Sequence, residues 1–368
     1  MIIEITKFDM FSFENTEHIR VMENLLLGFG EGKHIVLASK KFFYSIVESS
    51  VFGQNTKLFA QSAAQAQIEY NDLLSHVSFH LELDFSLEVN VFRWVTSGNF
   101  EKIIVSPDFF HDSKAIQKIN IVCENPIDAD FYHIIGVYYS KTISSQMRCP
   151  LVFEAINGGG GTTKNIFDRR VALRELTLCI IDNDRKHPRS AKGDTCRAFG
   201  QENYVETGRV KIIDAHEAES LIPFQTINEV VRKDGASPQK EKSLDALEEM
   251  ILLDDSTKLY FDHKNGINLN KAFSLDDKYG DYWIPIFRRS SIAREEVCIS
   301  DSNCECEPPC LYIEGYGENL LANSLEHIRH GNIHNYKPHL TSTLKEQWLD
   351  IGKLFFSWCC APTKRTRV

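Results

Sequence analysis

The sequence predicts an α/β protein: a parallel sheet flanked by helices, with an α+β domain before it and a mostly helical region after it. Three observations carry this reading. From residue 118 onward, short apolar runs alternate with helical stretches in a βαβαβ rhythm. A run such as Leu178-Cys179-Ile180-Ile181 is apolar throughout, as a strand buried on both faces is. Helices between strands imply crossover connections, hence a parallel sheet whose ligands bind outside the carboxyl ends of the strands.

Each element has its own justification. Residues 1–115 form the N-terminal domain, with helical character over 55–77 and partial alternation over 77–91 that suggests a strand. The central domain spans 116–231. Its first strand, 119–124, ends at Glu124. A helix follows, with Asn125 as N-cap, Pro126 at the first helical position and Asp128 at the positive end of the dipole. A second strand covers 150–155, Gly158 to Gly161 turn the chain, and a helix starts at Thr162 or Thr163. The third strand is 176–181 and the fourth 210–213. A helical region starts at about 221, and 232–243 reads as a mobile linker. The C-terminal region, 244–368, carries amphipathic helices near 244–253 and 343–356. No internal repeat is visible.

With 368 residues the chain is long enough for two or three domains. No apolar run is long enough for a membrane helix, which excludes a membrane partner at this level, and the N-terminus lacks the pattern of a signal peptide. Ten cysteines spread over such a chain fit reduced thiols in a cytoplasmic protein. A net charge of −10 does not attract nucleic acid as a whole, so any phosphate contact must be local. The local candidate is Arg185, Lys186, Arg189 and Lys192; a second basic cluster is Lys364-Arg365-Thr366-Arg367. A solvated loop or tail is the simpler account of each.

Three apolar runs end in acid: the first at Glu124 with Asp128 beyond it, the second at Asp182-Asn183-Asp184, the third at Asp214 with Glu217 and Glu219 beyond it. Carboxylates gathered at one sheet edge repel unless a cation sits among them, and hard oxygen ligands favour Mg2+ or Mn2+. Such an ion polarises a phosphate and generates hydroxide, which makes metal-dependent phosphodiester hydrolysis the leading function.

In this order the acids resemble those of the TOPRIM domain. The stretch from Glu124 through Asp128 is similar to its first motif, with Asn125 where glycine is common, and Asp182-Asn183-Asp184 matches its Asp-x-Asp. His216-Glu217-Ala218-Glu219 resembles the acidic segment of the OLD-type (overcoming-lysogenization-defect-like) TOPRIM nucleases without an ATPase domain. The resemblance covers roughly residues 116–225. It implies an endonuclease that cleaves DNA or RNA, serves anti-phage defence and commonly acts beside a partner ATPase. It implies metal ligands at Glu124, Asp128, Asp182, Asp184 and Glu219, with Glu219 favoured over Glu217. Association with further copies of the chain stays open. A non-catalytic binding or regulatory subunit on the same scaffold is the alternative.

Glu154 also ends a strand, but choosing it leaves no βα unit between the motifs. The glycines 158–161 lack the Lys-Ser/Thr of a P-loop. Lys264, in Asp262-His263-Lys264, is a candidate to steady charge on a transferring phosphate, against the simpler account of a surface turn. Cys298, Cys304, Cys306 and Cys310 are candidates for a structural Zn2+ site, although their spacing is not the usual pair of knuckles. His327, His330, His334 and His339 straddle a helix end that Gly331 stops, where imidazoles suit the negative pole.

Overall fold

The structure is a computed structural model that describes residues 1–98, 100–143, 149–200, 204–233, 235–291, 298–301, 304–307, 309 and 311–364. Cys310 and Arg365-Thr366-Arg367 lie outside the described residues. The chain divides into two compact units: Met1–Ile180 with Gln201–Lys211 and Asp350–Val368, and Ile181–Gly200 with Ile212–Leu349. Neither border falls at 115 or 231, because the first unit contains both large sheets.

The first sheet is built from β1 (Ile2–Thr6), β2 (Ile35–Leu37), β3 (Phe79–Asp84), β4 (Phe92–Ser97) and β5 (Phe100–Val105), in the order β2-β1-β3-β5-β4. All neighbours are parallel except the β4/β5 hairpin. The N-terminal region is thus α/β and mostly parallel rather than α+β. Its helices are α1 (Thr16–Gly30), α2 (Lys40–Glu48) and α3 (Gln54–Leu73). Helix α1 starts where Asn15 Oδ1 accepts the Glu17 and His18 amides, and it buries Val21, Met22, Leu25, Leu26 and Phe29 along one stripe.

The second sheet has β6 (Ile119–Cys123), β7 (Phe153–Asn157), β8 (Thr177–Ile181), β9 (Tyr204–Val205) and β10 (Gly208–Ile212), in the order β7-β6-β8-β10-β9. Strand β6 is parallel to β7 and β8, and β9 is antiparallel to β10. The amide of Thr177 donates to Thr207 O, and that of Ile213 to Ile181 O, so β8 and β10 run the same way. Both β6 and β8 are buried along their whole length. Helices α4 (Pro126–Ile143) and α5 (Thr163–Ala172) supply the crossovers. Asn125 Oδ1 accepts the Ile127 amide while Asp128 Oδ2 accepts the Asn125 amide, a reciprocal cap at the predicted position.

The end of the C-terminal helix (Ser342–Cys359) serves both sheets. Trp358 stacks on Phe79 of β3 at 4.4 Å and 9°, and Phe355 packs edge-on against Phe153 of β7 at 5.2 Å. Between the sheets, Glu101 of β5 accepts the Tyr204 hydroxyl and pairs with Arg209 at 2.6 Å.

The second unit holds α6 (Asp194–Ala198), α7 (Phe224–Lys233), α8 (Pro238–Leu253), α9 (Thr257–Tyr260), α10 (Leu269–Tyr279), α11 (Trp283–Arg289), α12 (Cys298–Asp301), α13 (Leu320–His330) and the antiparallel pair β11 (Gly266–Asn268) and β12 (Tyr312–Glu314). Of the expected linker 232–243, residues 232–233 and 238–243 are helical. Ser237 caps α8 through the Lys240 amide, and Pro238 takes the first helical position. Helix α13 ends before Gly331 as expected, and His327 pairs with Glu229 at 2.9 Å.

Candidate metal centre

In the first unit, Glu124 and Asp128 sit where the sequence puts them, just past β6. The carbonyls of Cys123 and Glu124 accept the amides of Gly158 and Gly159. A Cβ at Gly158 would lie 2.7 Å from Cys123 O and 2.5 Å from Thr163 Oγ1, so the glycine turn is there to dock on the end of β6. Asp128 gives an oxygen to its helix cap.

In the second unit three stretches of chain converge. The amides of Asn183 and Asp184 donate to Ala215 O and His216 O, which lays 182–184 alongside 214–216. The His216 amide donates to Leu259 O at 2.7 Å, which brings in the stretch from Lys258 to Lys264. Asp184 adopts φ 58°, in the left-handed region, so the regular strand ends before it and the Asp-x-Asp pair does not keep strand alternation. Its carboxylate lies against Gly193, where a Cβ would overlap Oδ2. Partial desolvation pushes the Asp184 carboxyl up, against the pull of Lys186 and Lys264.

Glu217 and Glu219 are both buried. Lys264 Nζ lies 3.1 Å from Glu217 Oε2 and 3.3 Å from Glu219 Oε1, so this lysine serves the two acids directly. Burial works against its charge, but the two carboxylates outweigh it and hold the ammonium above the usual lysine range. Burial pushes the Glu217 carboxyl up to about 7, with the Glu219 charge adding to it. Asp262 accepts from the Asn265 amide at 2.8 Å and pairs with Lys186 and, at 3.4 Å, with Lys271. Burial alone would raise its pKa; the Lys186 hydrogen bond, the Asn265 N–H and the two lysine charges hold it well below the usual carboxylate range.

His216, Glu217 and Asp262, all buried, each offer one donor atom within 4.8 Å of the other two. Burial, then the charge of Lys186, lowers His216 to about 4, so its imidazole is neutral at pH 7 and able to bind a metal. His216 Nδ1 and Glu217 Oε1 are buried without a hydrogen-bond partner among the described residues. Buried polar atoms left unpaired are costly unless something satisfies them. The donor set therefore fits a divalent ion. One imidazole with two carboxylates suits Mn2+ or Zn2+ better than an all-oxygen Mg2+ shell does.

Sequence reasoning found Asp184, Glu219 and Lys264 of this cluster and preferred Glu219 to Glu217; it left His216 and Asp262 without a role. The signal was present in His216-Glu217 and in the acid two residues before Lys264. The predicted basic set divides. Lys186 joins the cluster, and its carbonyl accepts the Trp283 indole N–H at 2.9 Å. Arg189 donates to Asp281 O, and Lys192 is exposed. Nε of Arg185 is buried without a partner among the described residues. Asp276, which accepts the amides of Tyr282, Trp283 and Ile284 at the start of α11, fixes the indole that holds Lys186.

No family model, no curated protein and no solved structure matches the chain. Among the described residues no helix is long and apolar enough to cross a membrane.

Proposed function

We propose that the chain is a metal-dependent nuclease of the TOPRIM type, with His216, Glu217 and Asp262 as the ligands that hold its divalent ion in the second unit. What supports this reading is the convergence of one donor atom from each of the three, together with the buried His216 Nδ1 and Glu217 Oε1 that lack hydrogen-bond partners among the described residues. The parallel core order β7-β6-β8-β10 and the acids that follow β6 and β8 also support it. A divalent ion in such a site supplies Lewis-acid polarisation of a phosphate and a more acidic bound water. The chain's own groups account for the rest. Lys186 and Lys264 bring positive charge to a phosphate. Asp182 and Asp184 add the negative charge of a second ligand set, in keeping with the resemblance.

The test is cleavage of supercoiled plasmid, linear DNA and transfer RNA with Mn2+ or Mg2+. Wild type is expected to cut at least one substrate, and Glu217→Gln with Asp262→Asn is expected to lower the rate by about 100-fold or more. Equal rates in the two proteins would overturn the site. One observation favours a second reading, that of a non-catalytic binding subunit: Lys186, Lys264 and Lys271 already neutralise these carboxylates without an ion. Metal-independent capture of a protein partner with no cleavage of any substrate would select it.

A further inference from the structure

We propose that Cys298, Cys304 and Cys306 form a separate, soft metal site that holds zinc. The three thiols converge from two stretches of the second unit, and one Sγ from each lies within 4.8 Å of the others. Cys298 Sγ and Cys306 Sγ are 3.7 Å apart. Thiolates about 2.3 Å from a tetrahedral zinc ion stand about 3.8 Å apart along an edge of the tetrahedron, whereas a disulfide would bring the sulfurs to about 2.0 Å. Among the described residues none of the three forms a disulfide.

The placement of the thiols is built. Asn270, on α10, clamps the backbone of Cys304 from both sides: Nδ2 donates to Cys304 O at 2.7 Å, and Oδ1 accepts the Cys304 amide at 3.0 Å. Arg288 of α11 donates to Ile299 O beside Cys298. Cys304 is buried, while Cys306 is exposed. Of the residues in this stretch whose burial is described, Ile299 and Cys304 enter the core and Glu305, Cys306 and Glu307 are exposed, so side-chain burial does little to hold 305–307. Thiolate coordination supplies that missing cohesion, and all-sulfur ligands select zinc over the harder ions suited to the carboxylate and imidazole donors of the first site. Each thiol releases its proton to solvent as it binds, so zinc uptake acidifies the medium.

Protein purified under reducing conditions without chelator is expected to carry about one zinc per chain by elemental analysis. The combined variant Cys298→Ser, Cys304→Ser, Cys306→Ser is expected to lose it. Cobalt provides the second readout. Reduced wild type is expected to show a thiolate-to-cobalt charge-transfer band in the near ultraviolet, which Glu217→Gln with Asp262→Asn leaves in place because that site has no sulfur. Should the combined variant fail to fold, Cys306→Ser alone, at an exposed position, is expected to weaken the band. The proposal is overturned if reduced wild type acquires neither zinc nor the band, if the combined variant keeps the thiolate-to-cobalt band, or if anaerobically prepared protein contains a Cys298–Cys306 disulfide.

Discussion

The two large sheets are the same drawing made twice. Taken in chain order, each places its strands 2-1-3-5-4, with one antiparallel strand at the edge beside the fifth. Their ends differ in chemistry. Strand β1 is followed by Lys7, where β6 is followed by Glu124. Strand β3 runs into Asp84-Phe85-Ser86, where β8 runs into Asp182-Asn183-Asp184. Asp84 turns its carboxylate inward on its own loop and accepts both the amide and the hydroxyl of Ser86. The N-terminal sheet does gather Glu4, His80 and Glu82, but within its strands, where His80 and Lys102 pair with the acids. Topology repeats here while the residues at and just beyond the strand ends differ in chemistry.

The comparison can be broken at several points. The largest effect is expected from Trp358→Ala. The indole is fully buried and stacked on β3, so its loss should cost about 3–5 kcal/mol. The end of its helix also packs on β7, so denaturant melts should show both sheets lost together; a sheet that melts alone would show that they are independent. Next comes the contrast between strand ends. Asp182→Asn with Asp184→Asn should lower plasmid cleavage by about 100-fold, while Asp84→Asn should leave it unchanged. Equal losses would remove the distinction between the sheets.

A smaller effect concerns Lys258, fully buried in the second unit with Nζ donating to Ser220 O at 2.6 Å. Burial lowers its pKa to about 7. The unfolded chain therefore holds this proton more tightly from there up to the ordinary lysine value. Stability contributed at this position is lowest below about pH 7 and climbs as pH rises toward about 10. Lys258→Met should stabilise by about 1–3 kcal/mol near pH 7, with the gain shrinking at higher pH in thermal melts. A gain that grows with pH would contradict this sign. The smallest effect is expected from Gly193→Ala, whose methyl group displaces the Asp184 carboxylate. Cleavage should drop by about 10-fold with almost no change in melting temperature.

The second sheet was legible because buried parallel strands announce themselves as apolar runs, and β6 and β8 fall within a residue of their expected limits. The first was not. Strand β2 is three residues long, and β4 carries Arg93, Thr96 and Ser97 on a half-exposed edge, so neither gives a clean period. The shared strand order stayed hidden because it repeats no residues. The helix expected near 244–253 starts earlier, at Pro238; its polar first turns read as linker, although Ser237-Pro238 and Glu241 carried an N-terminal signature. At the candidate site, Glu217 and Glu219 were visible as acids after a strand. Asp262 was not, because only the folded path of the chain brings it beside a histidine 46 positions earlier.

Lys264 between Glu217 and Glu219 has a consequence for assembly. An ammonium tethered to the chain acts as a resident counter-ion, so the acidic pocket can close during folding before any metal arrives. An ion held by His216, Glu217 and Asp262 would then share Glu217 with that side chain, so occupancy is opposed by a positive charge that never diffuses away. Chelators should therefore empty this pocket without unfolding it.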